Sequence, residues 1–170
     1  GDSVKETVKS LGKYSPKKLK LFFVPLGKIQ KYVMTRISEK FRIVFYRRAM
    51  FKIASSVCEQ ENGLAIVTGD SLGQVASQTL ENIGAADEAA SFPVFRPLIG
   101  FDKEEIISEA KKIGTYEISI LAGPDCCTLF MPSFPATKSR LAEIKKMEEN
   151  LDNLENLIKK AVKEAKVVEI

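Results

Sequence analysis

The chain has 170 residues, 45% of them hydrophobic, so it is long enough for one sizeable core and short for two. It contains no histidine, which excludes Ser-His-Asp and Cys-His catalysis and removes the commonest zinc ligand. The formal charge of +4 is only mildly basic, and by itself it indicates an ordinary surface rather than one that binds nucleic acid.

Cysteine content and apolar runs indicate where the protein works. Three cysteines, two of them adjacent, cannot form a disulfide framework, which favours a reducing compartment. The sequence has no run of about 18 apolar residues, and its polar beginning lacks the apolar region of a signal peptide. We therefore expect a cytoplasmic protein with no membrane span.

Helical and strand-like patterns alternate along the first part of the chain. Capping residues, apolar periodicity and breaks at glycine or proline predict first a helix over 3–12, a strand over 18–26, a short helix through Ile29 and Val33, and a longer helix carrying residues 43–57. They then predict a strand over 64–67, a small-residue helix over about 72–83 and a strand over 94–99. A further helix is capped by Asp102 and ends at Gly114. Such alternation is typical of an α/β protein with a mainly parallel sheet.

The carboxyl-terminal part is expected to form a helical extension at about 137–165 and a small strand over 166–170. An apolar stripe repeats there at intervals of three and four residues: Ile144, Met147, Leu151, Leu154, Ile158, Ala161 and Ala165. We interpret the stripe as a face that packs on its own domain, with pairing to another chain, as in a homodimer, as the alternative. Asp152 and Glu155 offer a capping box that would divide the extension into two helices.

Two concentrations of basic residues are candidates for phosphate contacts, although either would also suit a solvated helix face. They are Lys13, Lys17, Lys18 and Lys20 near the start, and Arg42, Arg47, Arg48 and Lys52 in the long helix.

The segment TGDSLGQVASQT, residues 68–79, carries the clearest functional signal. It follows the apolar run 64–67, so Gly69 falls at the carboxyl end of a predicted strand, where open α/β sheets bind ligands. Its small and amide side chains suit a small planar ligand better than a purely structural helix. On caps alone, a strand followed by a helix capped by Asp70 or Ser71 explains the segment equally well.

Two further segments narrow the interpretation. FRPLIGFDKEEII, residues 95–107, and IGTYEISI, residues 113–120, are followed by Asp125-Cys126-Cys127. In order and spacing, these motifs resemble the ATP-pyrophosphatase domain of tRNA 4-thiouridine synthases, sulfurtransferases also assigned to thiamine biosynthesis. The resemblance covers nearly the whole chain and implies an α/β, adenine-nucleotide alpha-hydrolase-like or Rossmann-like fold: a mainly parallel open sheet with helices on both faces.

The resemblance implies a specific reaction and specific contacts. ATP, with Mg²⁺ expected beside it, adenylates a tRNA uridine, and persulfide sulfur replaces the activated oxygen to give 4-thiouridine. The sulfur would come from a donor such as a cysteine desulfurase or a rhodanese-type protein. The family's nucleotide contacts fall on Arg47, Gly69 and Gln78, and these residue types suit phosphate binding, close backbone approach and an adenine edge.

The resemblance also implies that a cysteine in the Asp125-Cys-Cys segment receives or attacks sulfur. Cys126 aligns better with that reactive position than Cys127. A thiolate is the required nucleophile, and the neighbouring Asp125 opposes its formation. A metal site is a poor alternative, because two adjacent thiols without a further Cys or His nearby cannot complete a tetrahedral zinc site.

One family motif is missing from the sequence. The phosphate-cradling SGGxDS loop does not occur, so we expect residues 1–170 to be the carboxyl-terminal portion of the domain, incomplete at its amino-terminal side and inactive on its own. A non-catalytic nucleotide-binding or dimerisation module and an enzyme of another adenylating reaction are the alternatives. The paired cysteines favour sulfur chemistry over the latter.

Overall fold

The computed structural model describes residues 2–121 and 134–170. Its helices and strands follow in the order α1 (Asp2–Gly12), β1 (Lys20–Phe23), α2 (Gly27–Met34), a 3₁₀ helix (Glu39–Phe41), α3 (Arg42–Gln60), β2 (Ile66–Val67), a second 3₁₀ helix (Ala76–Gln78), α4 (Leu80–Asp87), β3 (Val94–Phe95), α5 (Lys103–Lys112), α6 (Tyr116–Ser119), α7 (Leu141–Glu148), α8 (Leu154–Lys163) and β4 (Lys166–Glu169). None of the helices in these two ranges has the length and apolar character needed to cross a membrane.

The described strands form two small sheets. β1 pairs antiparallel with β4, from Lys20 opposite Glu169 to Phe23 opposite Lys166. β2 pairs in parallel with β3, with Ile66 opposite Val94 and Val67 opposite Phe95. The α/β class is therefore as predicted, although the described strands are shorter than expected and only one of the two pairs is parallel.

The long helix α3 organises the core. It packs against α2, α4 and α8, and its residues Val44, Phe45 and Ala49 are buried in the main apolar cluster. A smaller cluster formed by Phe51, Ile66 and Ala86 seats β2 on the same helix. This second contact fixes the carboxyl end of β2 beside the middle of α3, and it thereby positions the candidate site.

The carboxyl-terminal stripe packs within the chain. Ile144, Leu151, Leu154, Ile158 and Ala161 are buried and belong to the main core, so the preferred interpretation of the stripe is confirmed. The expected division into two helices is found between α7 and α8. The expected capping box is not, because α8 follows Asn153 and no side chain caps it.

The helix α5 shows how strongly local signals act where they are present. The Asp102 carboxylate accepts hydrogen bonds from the backbone N–H groups of Glu104 and Glu105, at 2.8 and 2.9 Å, and Glu105 accepts from the Asp102 N–H in return. This reciprocal capping box satisfies donors that the first turn of a helix otherwise leaves open. The predicted start of this helix is therefore confirmed.

Candidate functional site

The carboxyl end of β2 meets α3 through an ion pair. The Arg47 guanidinium donates from Nη2 to both carboxylate oxygens of Asp70, at 2.9 and 2.7 Å. Arg47 and Asp70 are 18% and 5% exposed at their side chains, so the pair is largely shielded from water. The helix thus supplies a cation and the strand end an anion to one partly buried site.

Asp70 collects three further donors. Thr68 Oγ1 donates to it at 2.8 Å, Gln78 Nε2 at 3.3 Å, and Arg96 Nε at 3.2 Å. Arg96 directly follows β3 and also pairs with Asp87 in α4. The segments that follow the parallel strands β2 and β3 therefore meet at the Asp70 carboxylate. Ligand sites in α/β sheets form at such carboxyl ends of neighbouring strands.

The donors around Asp70 determine its ionisation. Burial alone would raise the pKa of this carboxyl. Hydrogen bonds from Arg47 and Thr68, the charge of Arg47 and the hydrogen bond from Gln78 outweigh that effect, so that the pKa of Asp70 lies below its ordinary value of 3.8. The carboxylate is therefore charged at neutral pH and orders the donors that surround it.

A cleft of about 350 Å³ opens beside this network. Its polar edge consists of Arg47 and the strand end Thr68, Gly69 and Asp70, and its apolar wall comes from Met50, Phe51, Ala54, Ile66 and Val67. A Cβ atom built on Gly69 would meet no described atom within 4 Å, so the glycine is not needed for packing among the described residues. An apolar wall with a few polar groups along one edge is typical of a small-molecule site.

Two buried polar atoms in this network have no hydrogen-bond partner among residues 2–121 and 134–170. They are Arg47 Nε and Gln78 Oε1. Buried polar groups in folded proteins nearly always have a partner, so the hydrogen-bond network around Asp70 is incomplete at these two atoms. Arg47 and Gln78 are two of the three nucleotide contacts predicted from the sequence, and the third, Gly69, adjoins Asp70.

The local structure after β2 differs from the expectation. The small-residue helix over 72–83 is not formed: Gln78 ends a 3₁₀ helix, and α4 begins only at Leu80, capped by the Thr79 hydroxyl. Asp70 and Ser71 cap no helix, because Asp70 binds side chains and Ser71 Oγ donates to the carbonyl of Phe101 at 2.7 Å. Gln78 nevertheless reaches the site, by way of Asp70.

The predicted cysteine site, Cys126 with Cys127, lies outside the described residues. The described chain resumes at residue 134, and the side chain of Asn82 holds residues 136 and 139. Asn82 Nδ2 donates to the carbonyl of Ala136 at 2.7 Å, and the Ser139 N–H donates to Asn82 Oδ1 at 3.1 Å. The same Nδ2 donates to Ala76 in the 3₁₀ helix that carries Gln78. Residues 136–139 are therefore anchored next to the element that brings Gln78 to Asp70.

The basic residues of α3 do not act as a group. Arg48 is 2% exposed and donates to the carbonyl of Ala85 at 2.6 Å, to Glu88 at 2.9 Å and to Glu148. Lys52 pairs with Glu148 and Glu155. The expectation that Arg48 contacts phosphate is therefore wrong, because its donors are engaged in the core.

Comparison with known proteins assigns the chain to a family. A family model described as Thiamine biosynthesis protein (ThiI) matches residues 1–153. The chain belongs to this family. A probable tRNA sulfurtransferase of Thermus thermophilus is 49% identical over 151 residues, which make up 89% of the chain and 37% of that relative. One of Acetivibrio thermocellus is 43% identical over 169 residues, 99% of the chain and 43% of the relative.

A solved structure supports the same assignment. The crystal structure of a 4-thiouridine synthetase–RNA complex with bound ATP matches with a TM-score of 0.95 and 41% identity, over 99% of this chain and 44% of that chain. The resemblance inferred from the sequence is confirmed. The chain spans about two fifths of the length of the relatives it matches.

Sequence reasoning missed Asp70 and Arg96 as members of the site. The available signal for Asp70 is its place directly after Gly69 beyond a strand end, where a helix cap is the alternative explanation. Arg96 directly follows β3, the strand that pairs with β2, and belongs to the FRP part of a recognised motif. Comparing the residues that follow neighbouring parallel strands would have found both.

Proposed function

We propose that this chain is part of a tRNA sulfurtransferase that uses ATP to adenylate a tRNA uridine and replaces its oxygen with persulfide sulfur to give 4-thiouridine. A link to thiamine thiazole sulfur transfer belongs to the same proposal. The observation that carries it is the match, over 99% of the chain, to a 4-thiouridine synthetase whose structure holds RNA and ATP.

The residues of the cleft fit a nucleotide. Arg47 and Gly69 line the cleft, where Arg47 would bind phosphate and Gly69 leaves room for close approach to the backbone. Gln78 does not line the cleft but contacts it through Asp70, and we assign the adenine edge to it. The apolar wall that includes Met50 and Phe51 suits a planar base. When bound, ATP would supply the adenylyl group, with pyrophosphate as the leaving group. The described residues would hold and orient the nucleotide.

Magnesium is proposed to come with the nucleotide. Within residues 2–121 and 134–170, no three Asp, Glu, Cys or His side chains are grouped so that they could hold a metal ion. Asp70, the carboxylate at the cleft, is already bound by Arg47 and Arg96. Mg²⁺ is usually held by one or two carboxylates together with substrate phosphates and water, so the nucleotide phosphates rather than described side chains would supply most of its ligands here.

The sulfur step is assigned to Cys126, with Cys127 as the less favoured candidate. A cysteine can carry a persulfide, whereas the commonest general base, histidine, is absent from the sequence. The proposed partners are tRNA, a persulfide donor such as a cysteine desulfurase or rhodanese-type protein, and a second copy of the chain in a homodimer. The proposed location is the cytoplasm.

Substitution of the cysteines tests this function. The protein from the full open reading frame, supplied with tRNA, ATP and a persulfide donor, should form 4-thiouridine, measured by mass spectrometry of nucleosides. Cys126→Ser should abolish thiolation but keep ATP-dependent pyrophosphate release, because a hydroxyl cannot carry a persulfide. Cys127→Ser is the matched control and should be milder.

A third substitution controls for the loss of a thiol elsewhere. Cys58 lies in α3, where its Sγ contacts the carbonyl of Ala65 at 3.6 Å, and Cys58→Ser should leave thiolation unchanged. Full thiolation by the Cys126→Ser protein would refute the cysteine assignment. Absence of thiouridine formation by the unsubstituted protein would refute the proposed function itself.

A further inference from the structure

One carboxylate joins the predicted nucleotide contacts. Asp70 adjoins Gly69 in sequence and accepts hydrogen bonds from both Arg47 and Gln78. We propose that Asp70 is a positioning residue for ATP: its carboxylate holds Arg47 and Gln78 in the orientation in which their remaining polar atoms meet the nucleotide. This inference rests on the function proposed above.

The two held side chains are each only partly engaged. Arg47 uses Nη2 on Asp70 and leaves Nε without a partner among the described residues, while Gln78 uses Nε2 and leaves Oε1 likewise free. A side chain fixed at one polar atom loses the rotamer freedom that binding would otherwise have to remove. Asp70 therefore restricts both side chains while engaging only one nitrogen of each, and Arg47 also lines the cleft.

Asp70 is itself held by groups outside the predicted contacts. Thr68 Oγ1 and Arg96 Nε bind the carboxylate, which belongs to a residue only 4% exposed. When Arg47, still held by Asp70, also binds an anionic phosphate, Arg96 continues to compensate part of the Asp70 charge in addition to pairing with Asp87. A buried carboxylate with two cationic partners can therefore share one of them without becoming unpaired.

The neighbouring arginine of α3 shows what a purely structural ion pair looks like. Arg48 binds Glu88, Glu148 and the Ala85 carbonyl, and none of its nitrogens is among the buried atoms without a partner in the described part of the chain. Removing the acid that binds Arg48 should reduce stability alone. Removing the acid that binds Arg47 should change ATP binding, which makes Glu88→Gln a matched control for Asp70→Asn.

The test measures KM for ATP and kcat for 4-thiouridine formation in the protein from the full open reading frame, together with thermal unfolding. Asp70→Asn should raise KM by roughly tenfold to a hundredfold, the effect of losing a hydrogen bond to a charged group, with a much smaller change in kcat. Glu88→Gln should lower the unfolding temperature and leave KM unchanged.

Two additional variants keep the inference open to refutation if Asp70→Asn folds poorly. Asp70→Glu keeps the charge but lengthens the side chain, and it should still raise KM by roughly tenfold or more, because a displacement of about 1 Å disturbs a positioned group. In an Arg47→Ala background, Asp70→Asn should add less than about threefold to KM, because residues that act through one another are not additive.

The outcomes separate this inference from the proposed function. If Asp70→Asn and Asp70→Glu lower the unfolding temperature as Glu88→Gln does but keep the original KM, Asp70 is structural and the inference is overturned, while thiolation by the unsubstituted protein still supports the function. Additive effects of Arg47→Ala and Asp70→Asn would also overturn it. If the unsubstituted protein forms no thiouridine, the proposed function fails first.

Discussion

Asn82 should be among the most costly polar residues to replace, although it touches none of the predicted site residues. It is fully buried in α4, and its side chain makes three hydrogen bonds: Nδ2 to the carbonyls of Ala76 and Ala136, both at 2.7 Å, and Oδ1 from the Ser139 N–H at 3.1 Å. The partners lie six, 54 and 57 residues away along the chain, so the amide ties three separate segments together.

The substitution Asn82→Leu keeps the approximate volume and removes every polar atom. Two carbonyls and one N–H would then be left without their partner. Each buried group left unsatisfied costs about 1–3 kcal/mol, and because the three losses share one relaxation, we expect a total of roughly 3–5 kcal/mol rather than the full sum. This is a large part of the ~5–15 kcal/mol that stabilises a typical domain.

Urea unfolding followed by circular dichroism measures this loss. The matched control is Asn156→Leu: Asn156 is exposed on α8, and among the described residues its amide donates to Asn153 Oδ1 alone, at 3.3 Å. We expect the control to stay within about 0.5 kcal/mol of the original protein, as surface substitutions usually do. A loss below about 1 kcal/mol for Asn82→Leu would show that these bonds do not hold residues 136–139, and it would refute the reasoning.

Two other predictions follow from single observations. Gly63→Ala should cost about 1–3 kcal/mol of unfolding free energy and leave KM for ATP unchanged, because the added Cβ would lie 2.6 Å from Cys58 Sγ. Gly69→Ala should fold normally and raise KM for ATP, because the added Cβ would enter the open cleft. The reverse pattern would contradict both assignments. Stability should also fall in acid. Hydrogen bonds from Lys145 and Arg48 lower the pKa of Glu88 below 4.5. The donors around Asp70 overcome the effect of its burial and lower its pKa below 3.8. Both carboxylates therefore bind protons less readily in the folded state than in the unfolded state. The contribution of the two carboxylates to stability is complete above their ordinary pKa values and is lost as the pH falls through their lower pKa values in the folded protein. In urea unfolding over a pH series, the free energy of unfolding should decline less steeply toward acid in Asp70→Asn and Glu88→Gln than in the original protein. Parallel curves would exclude this explanation.

The sequence predicts best those elements whose signals are local. Asp102 and Glu105 lie three residues apart, and this spacing alone defines the cap of α5, which the structure confirms. The stripe from Ile144 to Ala161 repeats at helical spacing, and its burial follows from the period alone. In both cases each signal lies between residues three or four positions apart, so it can be read from the sequence alone.

The loop after β2 was predicted less well, because its structure depends on distant partners. The Leu72 N–H bonds to the carbonyl of Ile99, and Ser71 to that of Phe101, about thirty residues away. Gly73 adopts a positive φ of 76°, which few other residues tolerate and which ends any helix there. The small residues predict a ligand loop, and that stays a prediction, but their spacing could not show that the chain turns back before Gln78.

The two adjacent arginines of α3 show why the site required the structure. By charge and position in the helix Arg47 and Arg48 are equivalent in the sequence, and only the family resemblance singles out Arg47. One residue corresponds to a rotation of about 100° around a helix. That rotation directs Arg48 into the core, toward Glu88 and Glu148, partners 40 and 100 residues away. It directs Arg47 to the strand end, where a single carboxylate engages it and Nε stays free among the described residues.

Hydrogen-bond saturation therefore distinguishes these two arginines better than charge or burial. Arg48 has a backbone carbonyl and two carboxylates, so a phosphate would have to displace a partner that is itself buried or held. Arg47 lines the cleft and is engaged there by one described carboxylate, so its guanidinium can also donate to a phosphate while Asp70 keeps Arg96. The ability of Arg47 to bind a ligand thus depends on which of its hydrogen-bonding groups the fold leaves without a partner. That depends in turn on Asp70, whose partners Arg47 and Arg96 are 23 and 26 residues away in the sequence.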